Sequence, residues 1–206
     1  MRPRVEQITI AGPAAPWGAV GLEIDGGRCR VGAVELVLSD EDGGAGIARW
    51  SLSGAGSAEL DGLPTDLVDP AEATPAPDHP LGAVAIDHMV AFTPELERTV
   101  GALEAAGIEL RRRRDGETLG HAVRQAFFRL GEPLLEVVEH SRVPPGPAAF
   151  WGMTLTVADI EAAAALLGDR LGTIRDAVQS GRRIATVREE AGLGMPVALI
   201  TPDAGR

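Results

Sequence analysis

Ile86-Asp87-His88-Met89-Val90-Ala91-Phe92-Thr93-Pro94-Glu95-Leu96-Glu97 has a counterpart 64 residues further on, in Phe150-Trp151-Gly152-Met153-Thr154-Leu155-Thr156-Val157-Ala158-Asp159-Ile160-Glu161. The same offset carries Val100 to Ala164 and Leu103 to Leu167. An offset of 63 carries Gly131-Glu132-Pro133-Leu134-Leu135-Glu136 onto Gly194-Met195-Pro196-Val197-Ala198-Leu199. Agreement at both ends of the block, at nearly one spacing, identifies an internal duplication.

Each copy reads as a strand, a helix and three more strands. In the first, residues 84–92 are apolar enough for a strand, and Thr93 offers an N-cap with Pro94 at the first helical position. Glu95 and Glu97 suit the positive end of that helix. Leu96, Val100 and Leu103 form its apolar stripe, and Gly107 ends it. Strands are expected at 108–114, 122–130 and 133–140, with turns at Asp115-Gly116 and Gly131-Glu132-Pro133. The second copy predicts strands at 153–157, 174–179, 183–188 and 197–201 and a helix at 159–167, with turns at Ser180-Gly181 and 192–194. The two modules, 84–142 and 148–203, are joined by a Pro-rich linker at 143–147.

Upstream, strands are expected at 5–10, 29–38 and 47–52 and a helical turn at 17–20. Residues 1–54 therefore read as a shortened third module. Residues 55–83, with Pro64, Pro70, Pro75 and Pro77, read as a linker or a surface-hugging loop. The expected class is α+β.

Composition narrows the function. Apolar residues make up 45% and charged residues 24%, as in ordinary soluble domains. No run approaches the ~18 apolar residues of a membrane helix, and Glu6 and Gln7 interrupt any signal-like segment, so a cytoplasmic location is expected. Cys29 is the only cysteine, which excludes an internal disulfide and a cysteine metal cluster. The chain has no Lys and no Tyr, so a Schiff-base lysine and a tyrosine acid or base are excluded. A net charge of −11 argues against a nucleic-acid partner. Arg111–Arg114 is the one basic run. On a regular strand its guanidinium groups alternate between faces, which suits a solvated edge or a contact to an anionic substrate.

Ile86-Asp87-His88-Met89-Val90, with Phe127-Phe128-Arg129-Leu130-Gly131 and Leu134-Leu135-Glu136-Val137-Val138-Glu139, resembles the first and last strands of a vicinal oxygen chelate module (the glyoxalase, bleomycin-resistance and extradiol dioxygenase superfamily). The resemblance covers about 120 residues. It implies paired βαβββ modules forming a curled mixed sheet around a cleft. It also implies that His88 and Glu136 are metal ligands for one divalent ion: Zn, Fe, Mn or Ni. Gly152 and Leu199 stand where the second module would repeat them. The competing reading is a core histidine that hydrogen-bonds Glu136 with no metal.

Other candidates surround this pair. Gln125, Gln179, Arg182 and Trp151 are assigned to substrate binding; Gln179 and Arg182, with Arg183 beside them, read as a carboxylate clamp or, more simply, as a solvated hairpin. Phe150 heads the second module with Trp151, where aromatics can line a pocket but more often serve packing. His121 and His140 match no ligand position in the family and read as surface histidines. The resemblance implies a metal-dependent lyase, isomerase or dioxygenase acting on a small oxygenated substrate. The alternative is a metal-free small-molecule binding protein of bleomycin-resistance type. A homodimer is expected, and no membrane partner.

Overall fold

The repeated residues occupy matching places in the computed structural model, which describes residues 2–40, 43–118 and 121–203. The first module comprises β6 (Ala83–Thr93), α2 (Leu96–Ala105), β7 (Leu110–Thr118), β8 (His121–Arg129) and β9 (Leu134–His140). The second comprises β10 (Ala149–Val157), α3 (Ile160–Leu167), β11 (Arg175–Asp176), β12 (Arg183–Val187) and β13 (Val197–Ile200). Before them come β1 (Arg4–Ala11), α1 (Ala14–Ala19), β2 (Arg28–Val31), β3 (Val34–Ser39), β4 (Gly46–Ser53) and β5 (Thr65–Leu67). The architecture is α+β with two mixed sheets.

Both modules contribute to one eight-stranded sheet in the order β11-β12-β13-β10-β6-β9-β8-β7. In each, the first strand lies parallel to the last, β6 to β9 and β10 to β13, and the two first strands pair antiparallel at the centre. One face is apolar. Met89, Ala91, Phe128, Leu135, Met153 and Leu155 are buried there with the helices. Leu96, Val100 and Leu103 of α2 are buried against it, as their helical spacing requires. The opposite face, one residue out of phase, is open.

The small sheet, ordered β2-β3-β1-β4-β5, mirrors this pairing with strands missing. β1 is parallel to β3 and antiparallel to β4, and β4 is parallel to β5. β5 lies inside the 55–83 segment that reads as linker. The segment expected as one strand at 29–38 is a hairpin, because Gly32 takes a left-handed φ of 58° between β2 and β3. Ile8, Ile10, Trp50 and Leu52 join the core of the large sheet, and Trp50 meets Phe150 edge-on at 5.1 Å.

Three local expectations fail for identifiable reasons. Helix α2 starts at Leu96 rather than Pro94. Thr93 Oγ1 instead accepts from the Glu95 N–H (3.1 Å), and the Leu96 N–H donates to the Glu139 carboxylate on β9 (2.7 Å). Asp115 and Gly116 do not turn; they pair with Arg124 and Val123 in a ladder that continues to Thr118 and His121. Of the strand expected at 174–179, only Arg175–Asp176 pairs.

Candidate functional site

Two polar residues that a regular strand would send to opposite faces stand side by side on the open one. Thr154 pairs with His88, but the next residue, Leu155, pairs with Ile86, so Asp87 is the extra residue of a β-bulge. The bulge turns Asp87 and His88 to one side. It also changes the phase before it: Ile86 packs in the main core with Met89 and Ala91, whereas Val90 packs with Val123 and Val138 around Phe92.

His88 Nδ1 lies 2.7 Å from Asp87 Oδ2. A carboxylate at that distance fixes the ring with the hydrogen on Nδ1 and leaves Nε2 as the acceptor facing the cleft. The Thr154 hydroxyl is 3.1 Å from Nε2, and Glu136 Oε2 is 3.7 Å away. The Gln125 amide donates to the other oxygen of Glu136. Behind Asp87, the Arg182 guanidinium donates to Oδ1 (2.6 Å) and, through Nε, to the Thr201 carbonyl (2.7 Å). Burial pushes the Asp87 carboxyl up, but the hydrogen bonds from His88 and Arg182 and the charge of Arg182 outweigh it and hold it below its ordinary value.

The sequence candidates are distributed around this row. Gln125 and Trp151 line a cleft of about 830 Å³ with His88 and Glu136. Trp151 is itself a bulge residue, its ring tilted against Phe92 with the centroids 5.2 Å apart. His140 lies along the same cleft and accepts from the Arg142 N–H. Gln179 and Arg182 belong to a neighbouring cavity of about 490 Å³, where Arg182 is buried and engaged with Asp87. Arg183 pairs with Glu161 at 2.7 Å. The side chain of His121 lies outside the described residues. Asp87 and Thr154 were not singled out from sequence; the signal for Asp87 was its adjacency to His88, masked by the alternation rule.

The second module supplies no matching donors. Val90 pairs with Glu136 in the first module and Thr154 with Ala198 in the second, so Ala198 holds the place of Glu136. Leu199 is fully buried in the core, a correction of one residue in register. At Gly152 a Cβ would sit 2.3 Å from the Pro196 carbonyl oxygen, whose acceptor is already bound by the Met153 N–H. Gly152→Ala should therefore cost about 1–3 kcal/mol, read as a lower denaturation midpoint, and Gly152→His should add no metal ligand. An alanine variant as stable as wild type would show that the strand yields there.

With Nδ1–H committed to Asp87, the Nε2 lone pair and the Glu136 carboxylate face each other across 3.7 Å among apolar walls. A cation between them relieves that repulsion, so an imidazole, a carboxylate and the neutral oxygens of Gln125 and Thr154 fit a divalent ion with open positions. Among the described residues, no third His, Cys, Asp or Glu joins them.

No protein-family model matches the sequence, and no curated protein matches it. Solved structures do. A variant of 4-hydroxymandelate synthase from Streptomyces coelicolor superposes with a TM-score of 0.66 at 16% identity, covering 98% of this chain and 93% of that one. Methylmalonyl-CoA epimerase from Mycobacterium tuberculosis covers 60% of this chain and 91% of its own (TM-score 0.49, 17% identity). A Streptomyces coelicolor methylmalonyl-CoA epimerase in complex with 2-nitronate-propionyl-CoA covers 59% and 96% (TM-score 0.48, 24% identity). The match to the synthase runs through both sheets, so this chain shares that enzyme's fold, with the paired βαβββ modules expected from its resemblance to vicinal oxygen chelate proteins.

Proposed function

We propose that the protein is a glyoxalase-like, metal-dependent enzyme of the lyase, isomerase or dioxygenase type, acting on a small oxygenated substrate in the central cleft. The observation that supports this reading is the His88–Glu136 pair, 3.7 Å apart on the open face of the sheet, with the histidine oriented from behind by Asp87. His88 and Glu136 would hold one divalent ion (Zn, Fe, Mn or Ni), with Gln125 and Thr154 as neutral neighbours. Bound there, the metal would polarise a substrate oxygen as a Lewis acid. The protein's own part is orientation and exclusion. Asp87 sets the imidazole tautomer, Gln125 fixes the Glu136 rotamer, and the apolar walls formed by Val90, Phe92, Val138 and Trp151 keep water from the substrate.

A second reading is favoured by Gly152 and Ala198: a metal-free cleft that binds an apolar molecule without chemistry. Elemental analysis of protein purified without a metal-affinity tag separates the two. About one ion per chain supports the enzyme; metal-free protein that still binds a hydrophobic ligand supports sequestration.

We further propose a homodimer, because β7 closes the large sheet with an unpaired edge. Light scattering should give twice the 21.4 kDa chain mass. A monomer across a wide concentration range would contradict it.

A further inference from the structure

Four strands pass from the apolar cleft into the neighbouring cavity in one or two residues. Glu136 and Leu134 on β9, Gln125 and Phe127 on β8, and Thr154 and Thr156 on β10 are each two apart, and His88 and Asp87 are adjacent across the bulge. The two cavities are therefore ends of one trough, with the polar row at its waist.

The smaller end is basic in a strongly acidic protein. Arg111 and Arg112 both line it, although a regular strand would separate them. Leu110 pairs with Phe128 and Arg112 with Phe127, so Arg111 is a bulge residue and the two arginines share a side. The expectation that the arginine run alternates faces fails at this point; Arg113, beyond it, pairs with Glu97 at 2.6 Å. The Arg112 guanidinium lies over the Phe127 ring, 4.6 Å from its centroid, which holds it in place without neutralising it.

The other charges at this end are largely committed. Arg182 is paired with Asp87. Glu132 accepts from the Ala33 N–H. Arg129 and Asp203 each have partners of their own. No carboxylate pairs with Arg111 or Arg112 among the described residues.

We propose that the Arg111–Arg112 end is an anion subsite: Arg112 pairs with Phe127 and Phe127 with Glu136, so the substrate carries a carboxylate or phosphate group about 10 Å, two inter-strand spacings, from the atom presented to His88 and Glu136. The identity of that reacting atom rests on the function proposed above; the subsite itself does not. Guanidinium forks match both anions, and Gln179 lines the same cavity.

The test is calorimetric titration of the full-length protein at low ionic strength with malonate and, separately, with inorganic phosphate. At least one anion should bind saturably, and the tighter of the two names the group. Arg112→Gln should weaken it about tenfold, the scale expected for one charge-assisted hydrogen bond. His88→Ala should leave it within about twofold. Arg112 is exposed on an edge strand, so its replacement leaves the core intact. Failure of both anions to bind, unchanged affinity in Arg112→Gln, or loss of binding in His88→Ala would each overturn the subsite. Metal analysis reports separately on the waist: protein without metal but with Arg112-dependent anion binding would remove the proposed chemistry and leave the subsite standing.

Discussion

Glu136→Gln should abolish metal uptake. The substitution keeps the shape of the side chain and its contact with Gln125 but removes the carboxylate that, among the described residues, lies within reach of His88 Nε2 (3.7 Å); Asp87 is bound to the far nitrogen. Ala198 and Gly152 offer no replacement from the second module. Partners one step removed from a metal are worth about 10–100-fold in affinity, so loss of a direct ligand from so small a donor set should exceed that. Adding His88→Ala should change nothing further, because one act of coordination cannot be lost twice. Asp87→Asn, which weakens the hold on the imidazole, should fall between. Elemental analysis and metal titration of the four proteins give the order directly. Equal loading of wild type and Glu136→Gln would remove Glu136 from the site.

Arg182→Leu should destabilise the protein by about 3–5 kcal/mol, the usual cost of leaving one member of a buried ion pair behind. Arg182 is 8% exposed, and it reaches Asp87 from a chain segment 95 residues away, tying the rim of the second module to the first. A chain of this length should lose roughly 6–20 °C in Tm for such a change. The sign with pH follows from the lowered pKa of Asp87. A carboxyl depressed in the folded state contributes stability above its unfolded pKa and loses it as pH falls through the folded value. The deficit of the variant should therefore be full at neutral pH and shrink as the pH falls towards the lowered pKa of Asp87 in the wild type. Thermal melts at pH 7 and pH 3 make the comparison, and equal deficits at the two values would show that lost packing, rather than the stranded charge, sets the cost. Asp87→Asn combined with Arg182→Leu should recover part of the neutral-pH loss.

What the sequence made legible was carried by periodicity. The 64-residue offset matched β6 with β10 and α2 with α3, the Leu96-Val100-Leu103 stripe located α2, and His88 and Glu136 lie side by side, 3.7 Å apart. What it hid depends on pairing partners. A bulge is one extra residue on one strand, and nothing within Ile86-Asp87-His88 or Leu110-Arg111-Arg112 shows that the facing strand is one residue short. Both bulges mattered, one placing Asp87 behind His88 and the other placing two arginines at one end of the trough. The one-residue difference between Ala198 and Leu199 has the same origin, since local similarity aligned the segment while the ladder set its register. Arg182 stands in a Ser-Gly-Arg-Arg turn that reads as solvent-exposed. Only the folded chain supplies the carboxylate and carbonyl that bury it.

The central pairing of β6 with β10 also bears on how the molecule breathes. Both strands have hydrogen-bonded neighbours on either side and back onto the shared core, so their amides should be among the last to exchange with solvent. Sites of chemistry more often sit on loops, the part of a fold that opens most readily. Here His88 and Thr154 stand on the strands that open least. Access to the trough is then left to the rim segments at 141–147 and 177–181, and sequence change there can reshape its mouth while the polar row at its waist stays in place.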